Sequence, residues 1–147
     1  MRPLLLGGET RADARVEPRT AAPERPRPRV RLDRRAIRIL LGGVRVPHGH
    51  GVVAHSDGDV LLHALVDALL GAAGLGDIGE HFPDSDPRWR GADSRQFVTA
   101  VLEMLARRSW RVVNADLTLL AQQPRIAPWR EQIRHSIATL LGCRRAR

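Results

Sequence analysis

The stretch "AHSDGDVLLHALVDALLGA", residues 54–72, places a polar cluster directly before an apolar helical pattern. The apolar residues recur at the spacing of one helix face, and they are Leu61, Leu62, Leu65, Val66, Leu69 and Leu70. Either Asp57 or Asp59 can cap this helix, because a carboxylate before the first turn accepts from free backbone N–H groups. Gly74 and Gly76 predict its end. The stretch therefore predicts a helix that begins among titratable side chains.

The flanking sequence predicts further strands and helices. The segment "AIRILLGGVRVP" has an apolar run on each side of Gly42 and Gly43, which predicts a hairpin, and the loop "HGHGVVAHSDG" follows. A long loop, "GDIGEHFPDSDPRWRG", precedes a helix predicted over residues 94–108. Residues 111–122 are predicted as a strand and residues 128–141 as a last helix. Strands separated by helices indicate an α/β or α+β fold.

The composition is that of a single globular domain of 147 residues. Hydrophobic residues make up 43% of the chain and aromatic residues only 3%, so the core is expected to be aliphatic. No apolar run approaches the ~18 residues of a membrane span. The single cysteine, Cys143, excludes an intrachain disulfide and favours a reducing compartment, so we expect a cytoplasmic protein.

The positive charge is concentrated at the two ends of the chain. Residues 1–35 carry ten Arg and five acidic residues, and residues 144–147 carry three Arg, whereas residues 36–143 have as many acids as Arg. Pro, Arg and Ala alternate in the first segment without an apolar period, which predicts disorder. We therefore predict a disordered segment over residues 1–35 and one domain over residues 36–147. The basic ends leave nucleic-acid binding as an alternative function.

The polar cluster is typical of an anion or metal site. Asp59 and His63 are four positions apart, so they share one helix face, where a carboxylate can orient an imidazole. His55 and Ser56 precede the helix, where N–H groups and the positive dipole end favour an anion. Other interpretations remain: a surface Asp–His pair, aspartates that only cap the helix, and plain turn residues in "FPDSDP".

The chain also resembles a known family. The run "HSDGDVLLHALVDALLGAAGLGDIGEHFPDSDPRWRGADSR", continued by "NADLTLLAQQPRIAP" and "LLGC", resembles 2-C-methyl-D-erythritol 2,4-cyclodiphosphate synthase of the non-mevalonate isoprenoid pathway over about residues 38–143. The resemblance implies homotrimers of α/β (α+β) subunits, with helices packed on one face of a mixed sheet. It implies an enzyme, a phosphorus–oxygen lyase that cyclises a cytidine-diphospho-methylerythritol phosphate and releases CMP. The implied cofactors are zinc and a second divalent metal, magnesium or manganese.

The same resemblance assigns expected roles to individual residues. His63 matches the zinc-binding histidine, and His55 matches the catalytic histidine that stabilises the transition state. Matching substrate-binding positions are His55, Ser56, Asp77, Ile78, Gly79, Phe82, Pro83, Asp84, Ser85, Asp86, Ala121, Gln122, Gln123, Pro124, Arg125, Ile126 and Ala127. Within this set, residues 82–86 are expected to hold the methylerythritol part and residues 121–127 the cytidine.

The sequence departs from the family pattern at both ends. The Asp-x-His motif that the family places before the Gly-Gly hairpin falls on Arg29 and Arg31. A Thr-Thr-Glu stretch, expected after "LLGC", is replaced by "RRAR". We therefore expect a family fold that is truncated at both ends. We also expect weak zinc binding and little cyclase activity, because catalytic zinc sites normally use three protein ligands.

Overall fold

The computed structural model describes residues 5–6, 31–33, 38–49, 51–119, 121 and 123–143. The strands in this part of the chain are β1 (Leu5–Leu6), β2 (Arg31–Asp33), β3 (Arg38–Leu41), β4 (Val44–Pro47), β5 (Gly51–Val53) and β6 (Val112–Asn114). The α-helices are α1 (Val60–Ala72), α2 (Ile78–His81), α3 (Ser94–Ala106) and α4 (Arg130–Leu140). Two 3-10 turns cover Pro87–Trp89 and Ala127–Trp129. The predicted α/β class is confirmed.

The hairpin predicted around the Gly-Gly pair is confirmed as β3 and β4. Leu41 pairs with Val44 across the turn, and Gly42 and Gly43 both adopt positive φ, which only glycine enters without strain. Leu41, Val44 and Val46 are buried, whereas Arg45 is exposed, so one face of the hairpin is covered. The covering elements include α1 and α4, which contact β3 and β4 respectively.

The described strands do not form the single mixed sheet that was expected. They pair as three separate antiparallel ladders, β1 with β6, β2 with β5 and β3 with β4. The β3–β4 ladder must be antiparallel because a two-residue turn cannot join parallel strands. The arrangement places the start of α1 beside the hairpin turn.

The core is built mainly by α1 and α3, which pack against each other. Their buried side chains are Leu62, Leu65, Val66, Leu69, Leu70, Phe97, Val98, Val101 and Leu105. A second cluster joins the hairpin to the last helix through Leu41, Val44, Val46, Leu61 and Ile133. The aliphatic core expected from the composition is thus observed, and burial of this apolar area is the main stabilising contribution.

One aromatic cluster interrupts this aliphatic core. The ring centroids of Phe82 and Phe97 lie 4.8 Å apart, and the Trp89 ring lies 5.3 Å from Phe82 and 5.5 Å from Phe97 in edge-on geometry. These separations are in the range that favours aromatic pairs. The cluster fixes the loop that contains Phe82 and Trp89 against α3.

Several local predictions need correction. Residues 51–53 form β5 within a predicted loop, because β2 supplies a pairing partner for them. The loop predicted over residues 76–91 contains α2 and the Pro87–Trp89 turn. The strand predicted over residues 111–122 is limited to Val112–Asn114, where β1 is the recorded partner. The predicted helices are confirmed as α1, α3 and α4, with ends shifted by up to two residues.

The segment predicted to be disordered is only partly described. Within this segment the structure describes two short strands, Leu5–Leu6 and Arg31–Asp33. Pairing with β6 and β5 supplies backbone hydrogen bonds that the local sequence pattern does not reveal. The other residues of 1–35 lie outside the described residues, and for them disorder stays a prediction. Nowhere among the described residues is there a helix long and apolar enough to cross a bilayer.

Gly42→Ala is expected to destabilise the fold more than Gly74→Ala. Both glycines have positive φ, at 61° and 64°, so each alanine carries the left-handed penalty of about 1–2 kcal/mol. A Cβ at Gly42 would also lie 2.9 Å from the side chains of Ile133 and Ile137, whereas nothing lies within 4 Å of one at Gly74. Urea unfolding of the two variants measures the difference, and equal losses would contradict this packing.

Candidate functional site

A buried carboxylate connects the helix start to the hairpin turn. Asp59 is fully buried and caps α1, and its Oδ1 accepts from Leu62 N–H at 3.1 Å and from Gly42 N–H at 2.8 Å. Its Oδ2 accepts from Gly43 N–H at 2.6 Å. Burial raises the pKa of Asp59, although the three backbone N–H groups oppose that shift. The Asp59 carboxylate therefore holds the hairpin turn against the start of α1, and we call this arrangement the Asp59 clasp. It does not orient His63.

A second carboxylate, that of Asp57, connects the loop before α1 to the start of α3. Asp57 accepts from Ser94 Oγ–H at 2.5 Å and from Ser94 N–H at 3.0 Å. It also accepts from Asp59 N–H at 3.2 Å. Ser94 is itself fully buried. Two backbone bonds reinforce this junction, Asp57 N–H to Ala92 O at 3.0 Å and Gly91 N–H to His55 O at 2.7 Å.

The imidazole of His63 lies between two hydroxyl groups. Its Nε2 is 3.0 Å from Ser56 Oγ and 3.0 Å from Ser94 Oγ. The ring of Phe97 packs edge-on against it, with a centroid separation of 5.8 Å. His63 and Ser56 are both half-buried, so they remain accessible from one side. The structure thus joins His63 and Ser56, which the sequence analysis assigned to one site.

His55 lies beside the loop of residues 82–86. Its Nε2 is 3.4 Å from the backbone oxygen of Asp86, which is a weak contact. The Asp86 carboxylate pairs with Arg88 at 2.6 Å, and that guanidinium holds the pKa of Asp86 below its usual range. Phe82 anchors the loop in the aromatic cluster, whereas Asp84 and Ser85 are exposed at its tip. The half-buried Pro83 lies between the two regions.

The turn of residues 77–79 has its own hydrogen bonds. Asp77 caps α2 by accepting from Glu80 N–H at 3.0 Å. Ile78 N–H donates to Asp67 Oδ1 at 2.8 Å, and a Cβ at Gly79 would be 3.2 Å from Asp77 Oδ1. Among the described residues, no hydrogen bond links this turn to His55 or His63. Its role in a shared site therefore stays a prediction.

The segment of residues 121–127 lies against a different part of the domain. Ile126 packs on the core cluster that contains Leu61 and Ile133, and it lines a groove of about 600 Å³ beside α4. Ala121, Gln123, Arg125 and Ala127 are exposed, Pro124 is half-buried behind a cis Gln123–Pro124 bond, and Gln122 lies outside the described residues. No recorded hydrogen bond in the described part joins this segment to His55 or His63.

The described side chains do not form a metal site. No group of three or more His, Cys, Asp or Glu residues in this part of the chain is arranged to hold an ion. The β2–β5 register places Arg31 opposite Val53, two residues before His55, and arginine has no lone pair to offer a cation. The donor set therefore does not fit the zinc that the resemblance implies.

Sequence reasoning missed Ser94 and underestimated Asp57. Asp57 was considered only as one of two helix caps, but it holds the start of α3 instead. Ser94 contacts His63, from which it is separated by 31 positions, so local spacing cannot reveal the pair. The motif "GADSR" was a usable signal, because its serine starts a helix directly after the polar loop.

The helices, the hairpin and the hydroxyl–imidazole–carboxylate network define an α/β protein. His55, Ser56 and His63 form its polar wall, at the start of α1. The YgbB family model matches residues 30–147. The chain belongs to the YgbB family.

Curated and solved relatives agree with this assignment. A 2-C-methyl-D-erythritol 2,4-cyclodiphosphate synthase of Pseudomonas aeruginosa (strain UCBPP-PA14) is 64% identical over 104 residues, which are 71% of this chain and 66% of that protein. A solved 2C-methyl-D-erythritol-2,4-cyclodiphosphate synthase in a CDP-bound form has a TM-score of 0.73 at 40% identity, covering 78% of this chain and 76% of that chain. A Plasmodium falciparum CDP complex has a TM-score of 0.62 at 33% identity, covering 73% and 63%. The chain thus spans 66% of the length of the first curated relative.

Proposed function

We propose that the chain binds 4-diphosphocytidyl-2-C-methyl-D-erythritol 2-phosphate and contributes to its cyclisation, as a phosphorus–oxygen lyase of isoprenoid precursor biosynthesis in the cytoplasm. In this reaction an oxygen of the 2-phosphate attacks the β-phosphorus and forms a new P–O bond. The bond from the β-phosphorus to the bridging oxygen breaks, and CMP leaves with the electron pair. The products are a cyclic diphosphate and CMP.

The polar wall of His55, Ser56 and His63 is the observation that carries the proposal. An N–H of His55 can donate to a phosphoryl oxygen as negative charge develops on it, and a fixed donor there lowers the barrier. Ser56 lies at the N-terminal approach to α1, where an anion is favoured. The Phe82–Asp86 loop, which reaches His55 through the backbone oxygen of Asp86, would border the methylerythritol carbons.

The motif assigns the cytidine to residues 121–127, and the CDP complexes of two structural relatives support a cytidine nucleotide as ligand. Because this segment has no recorded hydrogen bond to the polar wall of the same chain, we propose that a neighbouring subunit's wall completes the site. A homotrimer would supply three such junctions. The exposed residues Ala121, Gln123, Arg125 and Ala127 leave this segment open to a pyrimidine base.

The proposal assigns no role in the reaction to a divalent metal ion held by the described residues. His63 would be one ligand, but the other two positions implied by the family are Arg29 and Arg31. The described residues thus supply hydrogen-bond donors that can bind the substrate, but they do not supply the zinc ligands that fast turnover would need. The nucleic-acid alternative is not favoured, because the family match covers the folded region and the excess charge lies outside residues 36–143.

Calorimetry is expected to show CDP binding and weaker ADP binding. The reason is that residues 121–127 match the cytidine-binding segment, while the polar wall favours any diphosphate. Arg125→Ala, a change in the cytidine segment, should reduce the preference for CDP, whereas Arg108→Ala at the exposed end of α3 should leave it unchanged. Equal affinity for CDP and ADP, or binding of neither, would contradict the proposed cytidine site.

A further inference from the structure

We propose that Ser94 and Asp57 are positioning residues that fix His63 as the tautomer with its proton on Nε2 and its lone pair on Nδ1. Neither residue matched a site position of the family motif in the sequence. The proposal deepens the proposed function, since it concerns the same polar wall, but it is derived from hydrogen-bond directions alone. It therefore makes a statement about the ligand-free chain that can be measured without turnover.

The direction of the network starts at Asp57. Its carboxylate accepts from three donors, Ser94 Oγ–H, Ser94 N–H and Asp59 N–H, at 2.5, 3.0 and 3.2 Å. All three contacts are from donors, so the Asp57 oxygens act here as acceptors and give no hydrogen to Ser94. The single hydroxyl hydrogen of Ser94 must therefore point to Asp57, and the short O–O distance is typical of such a charge-assisted bond.

The next step fixes the proton on His63. With its hydrogen committed to Asp57, Ser94 Oγ can only accept from its remaining neighbour, and that neighbour is His63 Nε2 at 3.0 Å. An unprotonated Nε2 would face a lone pair of Ser94 Oγ at this distance in a part-buried position, even with the Ser56 hydroxyl turned toward the ring, whereas a protonated Nε2 donates to Ser94. Nε2 therefore carries the hydrogen in the neutral ring, and Nδ1 is left as the acceptor.

The same step sets the direction of the Ser56 hydroxyl. Ser56 Oγ is also 3.0 Å from His63 Nε2, so it accepts a share of that N–H, and it accepts weakly from Gly58 N–H at 3.4 Å. Its own hydrogen has no recorded acceptor among the described residues. The network therefore presents the Ser56 O–H to the open side of the wall, where it can donate to a phosphoryl oxygen.

Packing keeps this arrangement in place. Ser94 is fully buried at the start of α3, and Phe97, one turn further along that helix, packs edge-on against the His63 ring. Rotation of the ring would lose both the Ser94 contact and this aromatic contact. Ser94 and Asp57 act on the substrate only through His63 and Ser56, so they position the site and do not take part in the reaction directly.

The tautomer is measured by nitrogen-15 NMR of the histidine side chains in the full, ligand-free chain at about pH 8.5, well above the ordinary imidazole pKa of about 6.5. The His63 signals are identified by their loss in His63→Gln. We expect a protonated Nε2 and an unprotonated Nδ1 in the wild-type chain. A protonated Nδ1 there would overturn the proposal, and this test needs no variant of Ser94.

Variants of Ser94 and Asp57 distinguish a role in positioning His63 from a role in packing alone. Ser94→Ala removes the acceptor, so the Nε2–H preference of His63 should fall at least several-fold. Asp57→Asn supplies an amide that can donate to Ser94 Oγ, which frees the hydroxyl hydrogen, so the Nδ1–H form should increase. Thr99→Ala removes an exposed hydroxyl from the same helix and should change neither population. If both Ser94→Ala and Asp57→Asn keep the wild-type tautomer, the positioning role is wrong.

CDP binding is measured on the same samples. If the tautomer is as expected but CDP does not bind, the network is correct and the proposed function fails. If CDP binds with its normal preference while His63 is protonated on Nδ1, the proposed function stands and the positioning role fails. The two readouts therefore distinguish the two proposals.

Discussion

Asp59→Ala is expected to lower the free energy of unfolding by about 3 kcal/mol. The carboxylate accepts from the buried N–H groups of Gly42 and Leu62 and from the part-buried N–H of Gly43, and a buried N–H that is left without a partner costs roughly 1–3 kcal/mol. The loss affects the hairpin turn and the start of α1 at once. Denaturant unfolding followed by far-ultraviolet circular dichroism measures the change.

Asp93→Ala is the matched control for this loss. Asp93 also caps a helix, α3, but its side chain is 37% exposed and it accepts only one backbone hydrogen bond. Removing such a cap typically costs about 1 kcal/mol, because water can replace the carboxylate. If Asp59→Ala costs no more than Asp93→Ala, then the buried clasp does not have the stabilising role described above.

The second large effect concerns turnover with added zinc and magnesium. The chain is expected to release CMP from 4-diphosphocytidyl-2-C-methyl-D-erythritol 2-phosphate only slowly, because two of the three expected zinc-ligand positions hold Arg29 and Arg31. Arg29→Asp combined with Arg31→His supplies a carboxylate and an imidazole at the two expected ligand positions. This double variant should raise zinc content and the rate of CMP release, the latter on the order of a hundredfold, the usual scale of one electrostatic contribution to catalysis.

A charge-matched control uses two arginines at the far end of α3. Arg107→Asp with Arg108→His makes the same chemical changes at exposed positions, so it should alter neither zinc content nor CMP release. Fast CMP release by the unaltered chain, abolished by His63→Ala, would contradict the expectation. That result would show that another group completes a metal site with His63.

The parts of the fold that depend on local spacing were predicted well. The apolar repeat from Leu61 to Leu70 sets the buried face of α1, and the adjacent Gly42 and Gly43 are the residues that a tight turn with positive φ requires. In both cases the decisive interactions lie within a few residues of each other. A single sequence contains that information directly.

Contacts between distant segments could not be predicted in this way. Strand β5 forms by pairing with β2, and β6 forms by pairing with β1. In the site, the two aspartates were recognised as possible caps, but which one caps α1 depends on the buried turn beside Asp59. The Ser94 contact with His63 likewise requires the packing of α3 on α1.

The Asp59 clasp also determines how the domain opens locally. The amide hydrogens of Gly42 and Gly43 are held by a carboxylate that belongs to the first turn of α1, so neither can exchange with solvent while that turn is in place. Exchange at the hairpin tip therefore requires detachment of the same loop that carries His55 and Ser56. We therefore expect the hairpin and the polar wall to open together as one cooperative unit.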